Sequence, residues 1–151
     1  MSSSTDFPRL LNFWVLIIVF LVIFSGCTPK LFTPEEHDMD YLAFGNGGGF
    51  SGKVTTYYLS PRGKVYQRNS IAGEAKFIGN LSTEIYQQII SNIEITDLVD
   101  KELDQPGNIY RFLEWRNEGI QYRWVWSAAD QLPAAELIYK NLNQLLKNDV
   151  K

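Results

Sequence analysis

Few side chains in this sequence of 151 residues are suited to covalent or metal chemistry. Cys27 is the only cysteine, and His37 is the only histidine. A Ser-His-Asp triad would need His37 inside a pocket, whereas it lies in a polar stretch rich in proline and acids. One cysteine and one histidine do not make a zinc site. The sequence therefore predicts no catalytic residue, no metal site and no cofactor.

The chemistry open to Cys27 follows from the segment that ends on it. Residues 1–9 are polar, residues 10–24 are apolar except for Asn12, and two small residues then precede the thiol. This order is typical of a secretory signal. The apolar run is shorter than the roughly 20 residues of a helix that crosses a bilayer. An uncleaved anchor helix with an incidental cysteine remains the alternative.

Phe24-Ser25-Gly26-Cys27 resembles the lipobox of bacterial lipoproteins. In that class the cysteine thiol receives a diacylglyceryl group, and a peptidase then cuts the chain directly before it. The resemblance implies a signal peptide over residues 1–26 and lipid attachment, including palmitate, at Cys27. Two or more acyl chains give stable anchoring, so the implied partner is a membrane.

Residues 27–43 are interpreted as the lipidated cysteine and a flexible tether, because Pro29 and Pro34 oppose helix and acids follow them. Thr28 takes the place of the aspartate that retains proteobacterial lipoproteins in the inner membrane. Acids directly after the cysteine, which surface lipoproteins of Bacteroidota share, are also missing. We therefore expect the cell envelope, at the outer membrane facing the periplasm rather than at the cell surface.

Charge and composition exclude one class of partner. The net charge is −3, with 45% apolar and 21% charged residues, as in a globular domain. No cluster of basic residues marks a phosphate-backbone surface, so nucleic acid is not expected as a partner.

The stretch from Gly47 to Val54, GGGFSGKV, nearly matches a phosphate-binding loop. Val54 stands where a hydroxyl must bind magnesium, and a predicted strand follows instead of a helix, so nucleotide binding is not favoured. We interpret the segment 44–50 as a flexible loop that opens the domain. A possible interaction loop is formed by Asn46, Gly47, Gly48 and Gly49.

Aromatic residues concentrate on the second predicted hairpin, which begins near residue 109. They either fill a core or form an exposed face that stacks on sugars or peptides. The candidate aromatic face consists of Trp115, Tyr122, Trp124 and Trp126.

Paired carboxylates of the kind that hydrolyse glycosides are also considered. Glu84 and Glu136 fall in first helical turns, where acids stabilise the helix dipole. Glu114 is predicted to face Arg123 or another neighbour on an adjacent strand. Glu94 completes the set of candidates in structured segments.

The elements that hold these residues follow from periodicity. Strands are predicted over 51–59, 64–69, 76–79, 109–115 and 120–126. Helices are predicted from an N-cap at Ser82 to about Ile93, and from Pro133 onward. The order hairpin, helix, hairpin, helix predicts an α+β domain over residues 44–148. It would be a single antiparallel sheet of four or five strands with two helices on one face.

The segments FGNGGGFSG (44–52), YYLSPRGKVY (57–66) and PGNIYRFLEW (106–115), with WVW at 124–126, resemble a group of small lipoproteins common in Bacteroidota genomes. The resemblance implies source and location, and carries no catalytic residue. We expect a non-enzymatic binding or interaction module with an envelope protein or glycan partner. The alternatives are a carboxylate-dependent enzyme acting on envelope glycans and, third, an immunity or inhibitor protein.

Overall fold

A computed structural model describes residue 32, residues 39–70 and residues 73–150. These residues belong to one compact unit that begins at Leu31. The predicted signal peptide, Cys27 and most of the predicted tether lie outside the described residues.

The domain contains one sheet of seven strands with two helices, so the predicted α+β class with a single sheet is confirmed. The strands follow the order β4-β3-β2-β1-β6-β7-β5 across the sheet. Their bounds are Tyr41–Gly48 (β1), Thr55–Leu59 (β2), Lys64–Arg68 (β3), Lys76–Asn80 (β4), Leu103–Asp104 (β5), Ile109–Asn117 (β6) and Ile120–Trp126 (β7).

The sheet is mixed and larger than predicted, which corrects the expectation of four or five antiparallel strands. The pairings β1–β2, β2–β3, β3–β4, β1–β6 and β6–β7 are antiparallel, whereas β5 pairs with β7 in parallel. The two-residue β5 follows a short 3-10 helix, Leu98–Asp100. So short a strand has no readable periodicity, and its pairing is set by packing at the end of the sheet.

The central strand β1 lies where the sequence predicted a tether and a flexible loop. The sheet includes Tyr41–Ala43, which precede the predicted domain start at residue 44 and fall within the predicted tether. Four of the eight residues of β1 are Gly or Asn, which are depleted in strands. Burial between β2 and β6 overrides that propensity.

Two helices, α1 (Thr83–Ile95) and α2 (Pro133–Asn148), pack on the same face of the sheet. The predicted start of each is confirmed. The Ser82 hydroxyl accepts a hydrogen bond from the backbone N–H of Ile85 at 3.4 Å, and Pro133 occupies the first turn of α2. The pair forms the second layer of the domain.

The main core lies between this helical layer and the sheet. Leu42, Leu113 and Trp126 from the sheet meet Ile93 and Leu142 from the helices, and all five side chains are buried. Full burial of a large apolar side chain contributes about 1.5–3 kcal/mol. This core fixes which side of every strand faces the helices, and so defines a second face of the sheet.

Candidate binding site on the open face of the sheet

The second face of the sheet, here called the open face, carries the side chains that alternate with the core residues. On β6, Leu113 and Trp115 point to the helices, so Phe112, Glu114 and Arg116 point to the other side. A small buried cluster on this face contains no residue of α1 or α2. In the described part of the chain, the open face is therefore not covered by a helix.

A pocket of about 470 Å³ occupies the open face. Its lining comes from β1, β2, β3, β6 and β7, with Val54 just ahead of β2. Small-molecule sites in proteins typically measure about 300–1,000 Å³ and combine apolar walls with a few placed polar groups. The size and the mixed lining of this pocket fit that description.

Glu114 lies on the floor of the pocket and is only 8% exposed. Its carboxylate accepts a hydrogen bond from the Tyr41 hydroxyl at 2.6 Å, and Arg123 Nη1 lies 3.3 Å from its second oxygen. The predicted pairing of Glu114 with Arg123 across the β6–β7 hairpin is confirmed. Both carboxylate oxygens thus have donors, as a buried charge requires.

Tyr41 serves Glu114 as a neutral donor. Burial raises the pKa of the Tyr41 hydroxyl well above its ordinary value, and the hydrogen bond to Glu114 raises the same pKa further. A phenol with a raised pKa keeps its proton through the physiological range. Tyr41 therefore holds the carboxylate in place and does not act as a base.

Arginines are prominent among the described residues that line the pocket. Arg68, Arg116 and Arg123 lie there together with Glu114. Arg68 Cζ lies 5.0 Å from the centre of the Tyr58 ring, and Arg123 Cζ lies 5.5 Å from that of Phe112. Stacking on aromatic rings orients a guanidinium and suits it to planar carboxylate or phosphate groups.

Two glycines of β1 make room for the aromatic walls. A Cβ added at Gly45 would lie 2.8 Å from Phe112 Cζ, and one at Gly47 would lie 2.6 Å from the Tyr110 hydroxyl. Real Cβ atoms do not approach other atoms so closely. The glycines interpreted as a flexible loop instead let two rings lie over the central strand.

The predicted interaction loop is consequently strand structure for most of its length. Asn46, Gly47 and Gly48 belong to β1 and pair with β6, and the Gly49 N–H donates to the Asn108 carbonyl at 2.6 Å. Among these four residues Asn46 is the exposed one, and none lines the pocket. The flexible loop expected over 44–50 is corrected to strand structure as far as Gly48, because β6 pairs with this segment up to Ile109.

The four residues of the candidate aromatic face lie on the helix-covered side. Trp115, Trp124 and Trp126 are 6%, 1% and 0% exposed, and Tyr122 stacks between Trp115 and Trp124 with centroid distances of 5.5 and 6.1 Å. They fill the core. The pocket draws on a different set of rings, from Tyr41, Tyr58, Tyr110 and Phe112.

The other buried acid, Glu136, sits on the helix-covered side. Its carboxylate accepts from Trp126 Nε1 at 2.8 Å and lies 3.2 Å from Arg111 and 3.3 Å from Lys140. Burial opposes ionisation, but the donors from Trp126 and Lys140 and the charge of Arg111 outweigh it, so the pKa of Glu136 is lowered. This is a structural ion pair inside the core.

The four candidate carboxylates are not brought together. Glu84 and Glu94 are exposed on α1, Glu136 lies in the first turn of α2, and Glu114 is the one acid among the described residues that line the pocket. Within that part of the chain, no group of three or more His, Cys, Asp or Glu side chains is placed to bind a metal. The described lining of the pocket therefore combines arginines and aromatic rings with the carboxylate of Glu114.

Sequence reasoning missed this site because its residues come from distant strands. The sequence shows no cluster of basic residues, because Arg68, Arg116 and Arg123 lie far apart along the chain. The sequence signal for the site is the alternation along β6. Tyr110, Phe112 and Glu114 share the side of this strand opposite its core residues, and that side is amphipathic.

No family model matches this chain, and a search of the curated proteins gives no match. Neither helix of the described residues is long and apolar enough to cross a bilayer.

Proposed function

We propose that this chain is an envelope lipoprotein whose domain is a non-enzymatic binding module for a small anionic ligand. In this proposal residues 1–26 are removed, Cys27 carries the lipid, and the domain stands at the outer membrane facing the periplasm. The observation that supports the ligand class is the pocket of the open face, which Arg68, Arg116 and Arg123 line together with aromatic rings.

The internal bonding of Glu114 supports an anion rather than a cation as ligand. Its two oxygens are already engaged by Tyr41 and Arg123, so its negative charge is offset within the protein. Guanidinium groups of Arg68, Arg116 and Arg123 line the same pocket. Planar donors of this kind form short charge-assisted hydrogen bonds with carboxylate and phosphate oxygens.

The aromatic walls favour a ligand with an apolar or ring portion beside its charge. The rings of Tyr58 and Phe112 are each overlaid by an arginine, and Tyr110 borders the same space. Rings pair favourably with other rings and with apolar groups. The glycan hydrolase alternative finds less support, since a second acid at about 5–10 Å is missing from the lining.

Phenyl phosphate combines both features and is the probe for this proposal. Its affinity for the full chain in neutral detergent is measured by calorimetry, with benzyl alcohol as the uncharged comparison. Gln121 is exposed and lies at the pocket, opposite Arg116 on the neighbouring strand. We expect Gln121→Glu to weaken binding several-fold and Gln121→Lys to strengthen it, because like and unlike charges act directly on the anion.

Arg62 supplies the matched control for that titration. It lies exposed in the turn between β2 and β3, outside the pocket lining. Arg62→Glu changes the net charge more than Gln121→Glu does, yet should leave the affinity unchanged. Equal weakening by both variants, or equal affinity for phenyl phosphate and benzyl alcohol, would contradict an anion site on the open face.

The anchor is tested separately in cells supplied with a labelled fatty acid. The wild-type chain should incorporate the label, and Cys27→Ala should abolish incorporation and release the protein from the membrane fraction. Labelling that persists in Cys27→Ala would remove the lipoprotein part of the proposal and leave the pocket unaffected.

A further inference from the structure

The loop between β1 and β2, residues 49–54, carries an exposed aromatic ring. Phe50 is fully exposed, and no other large apolar side chain of the described residues is exposed to the same degree. Removing apolar surface from water is favourable. A ring in this position is therefore stabilised by any surface that comes to cover it.

Both ends of the β1–β2 loop lie at the pocket of the open face. A Cβ added at Gly47 would lie 2.6 Å from the Tyr110 hydroxyl and 3.0 Å from Val54 Cγ2, so these two side chains lie against the same part of β1. Tyr110 and Val54 both line the pocket. The loop follows Gly48 and ends at Val54, so it starts and finishes at one wall of the pocket.

The loop is long enough to place Phe50 over the pocket. Phe50 stands four residues from Val54, and an extended chain covers at most about 3.6 Å per residue, so the two Cα atoms can lie up to about 14 Å apart. That reach is sufficient to cross a pocket of about 470 Å³. Phe50 can therefore move from solvent to the pocket while Val54 stays in the wall.

Glycines on either side of Phe50 permit that movement. Gly49 and Gly52 have positive φ values of 72° and 57°, and glycine adopts positive and negative φ about equally well. The Gly52 N–H donates to the Gly49 carbonyl at 3.1 Å, so residues 49–52 can swing as one turn about the two glycines. The space around them is open, because a Cβ added at Gly52 would meet no atom within 4 Å.

We propose that the β1–β2 loop closes over the occupied pocket, and that Phe50 then covers the apolar or ring portion of the ligand. This inference rests on the proposed function, because it needs a ligand in the pocket. It adds a residue that selects ligands with a ring. Closure removes the ring of Phe50 and the ring of the ligand from water together, and loop closure of this type is common at binding sites.

Fluorine NMR on the full chain in neutral detergent tests the closure. Trifluoromethyl-phenylalanine is incorporated in place of Phe50 or, in a second sample, in place of Phe77, which is 55% exposed on β4 and outside the pocket lining. A soluble gadolinium chelate broadens the fluorine signal of an exposed ring. Saturating phenyl phosphate should reduce this broadening several-fold at position 50 and leave it unchanged at position 77.

Calorimetry measures what the ring of Phe50 contributes to affinity. Phe50→Ser should weaken the binding of phenyl phosphate several-fold, because the ring of the ligand then stays in water. Phe50→Trp keeps an aromatic ring and should bind as the wild type does. Phe77→Ser is the matched control and should leave the affinity unchanged. Both positions are exposed, so neither serine variant disturbs the core.

The outcomes separate this inference from the proposed function. If phenyl phosphate binds but changes the broadening equally at positions 50 and 77, the closure is overturned and the proposed function stands. Equal affinities of Phe50→Ser and Phe77→Ser, or of Phe50→Ser and Phe50→Trp, would have the same meaning. Absence of phenyl phosphate binding to the wild type would overturn the proposed function and this inference with it.

Discussion

Each face of the sheet holds one buried glutamate, and the two differ in what surrounds them. Glu136 is enclosed between the sheet and α2, with donors from Trp126, Lys140 and Arg111. Glu114 has Tyr41 and Arg123 as partners and borders an open pocket. Glu136 thus forms ion pairs on the helix-covered side of the sheet, whereas Glu114 lines the pocket on the open face.

The two glutamates belong to different elements, since Glu136 lies in the first turn of α2 and Glu114 lies in β6. They are almost equally buried, at 6% and 8% exposure. What distinguishes them is the space beside them. Glu136 reaches Trp126 and Arg111 of the sheet from α2, whereas Glu114 lines the pocket of the open face.

The largest expected loss of folding stability comes from the core on the helix-covered side of the sheet. Leu113→Ala deletes a side chain that is 0% exposed, and should lower the free energy of unfolding by about 2–5 kcal/mol because a cavity remains in the core. Leu137→Ala, with 66% of that residue exposed, is the matched control and should change it by less than about 0.5 kcal/mol. Urea unfolding measures both.

A similar loss in both leucine variants would mean that the covered face is not the main core. Phenyl phosphate affinity of folded Leu113→Ala should equal that of the wild type, because Leu113 points away from the pocket.

The next effect concerns Glu136 and pH. Since its pKa is lowered in the fold, it contributes stability above its ordinary value of 4.5, and this contribution is lost as the pH falls through that value and below. Glu136→Gln should cost about 1–3 kcal/mol at neutral pH, because it leaves Arg111 and Lys140 without their carboxylate. The variant should also lose less stability on acidification.

Unfolding free energies measured at neutral and acidic pH give the comparison, with Glu94→Gln as control. Glu94 is exposed on α1. Identical acid sensitivity of Glu136→Gln and the wild type would contradict a buried, ionised Glu136.

A smaller effect is expected on the open face, at Tyr41. Tyr41→Phe removes the hydroxyl that donates to Glu114, and should cost about 0.5–1.5 kcal/mol at neutral pH. The raised pKa of Tyr41 means that its contribution is present below pH 10.0 and is lost as the pH rises above it. The wild type should therefore lose more stability than Tyr41→Phe between neutral and strongly alkaline pH.

Tyr66→Phe is the control for that alkaline series, because it also removes one tyrosine hydroxyl while keeping the ring stacked on Phe32. An alkaline profile of Tyr41→Phe that matches the wild type would show that the Tyr41 hydroxyl is not held protonated by burial and Glu114.

The sequence predicted the covered half of the molecule better than the open half. Helical periodicity, the cap at Ser82 and Pro133 gave both helices, and alternation gave the hairpin of β6 and β7. β1 escaped prediction because glycine and asparagine suggest a loop locally, while its strand structure comes from two neighbours that are distant in sequence. Local patterns do not contain that pairing.

The candidate site depended on the same missing strand. In the sheet, β1 joins the pair β2 and β3 to the pair β6 and β7. Because β1 was not predicted, the shared pocket of Arg68, Arg116 and Arg123 could not be predicted either. The pairing of Glu114 with Arg123 was accessible from sequence because both belong to one hairpin. Contacts within a hairpin were predictable, and contacts across the central strand were not.

Anion binding at the open face is tested most directly by observing the arginine side chains. The Nε–H signals of Arg62, Arg68, Arg111, Arg116 and Arg123 are recorded by NMR while phenyl phosphate is added to the full chain. We predict chemical-shift changes at Arg68, Arg116 and Arg123, which line the pocket. Arg62 and Arg111, which do not line it, should show none. Shifts of equal size at all five, or at Arg62 and Arg111 alone, would contradict an anion site on the open face.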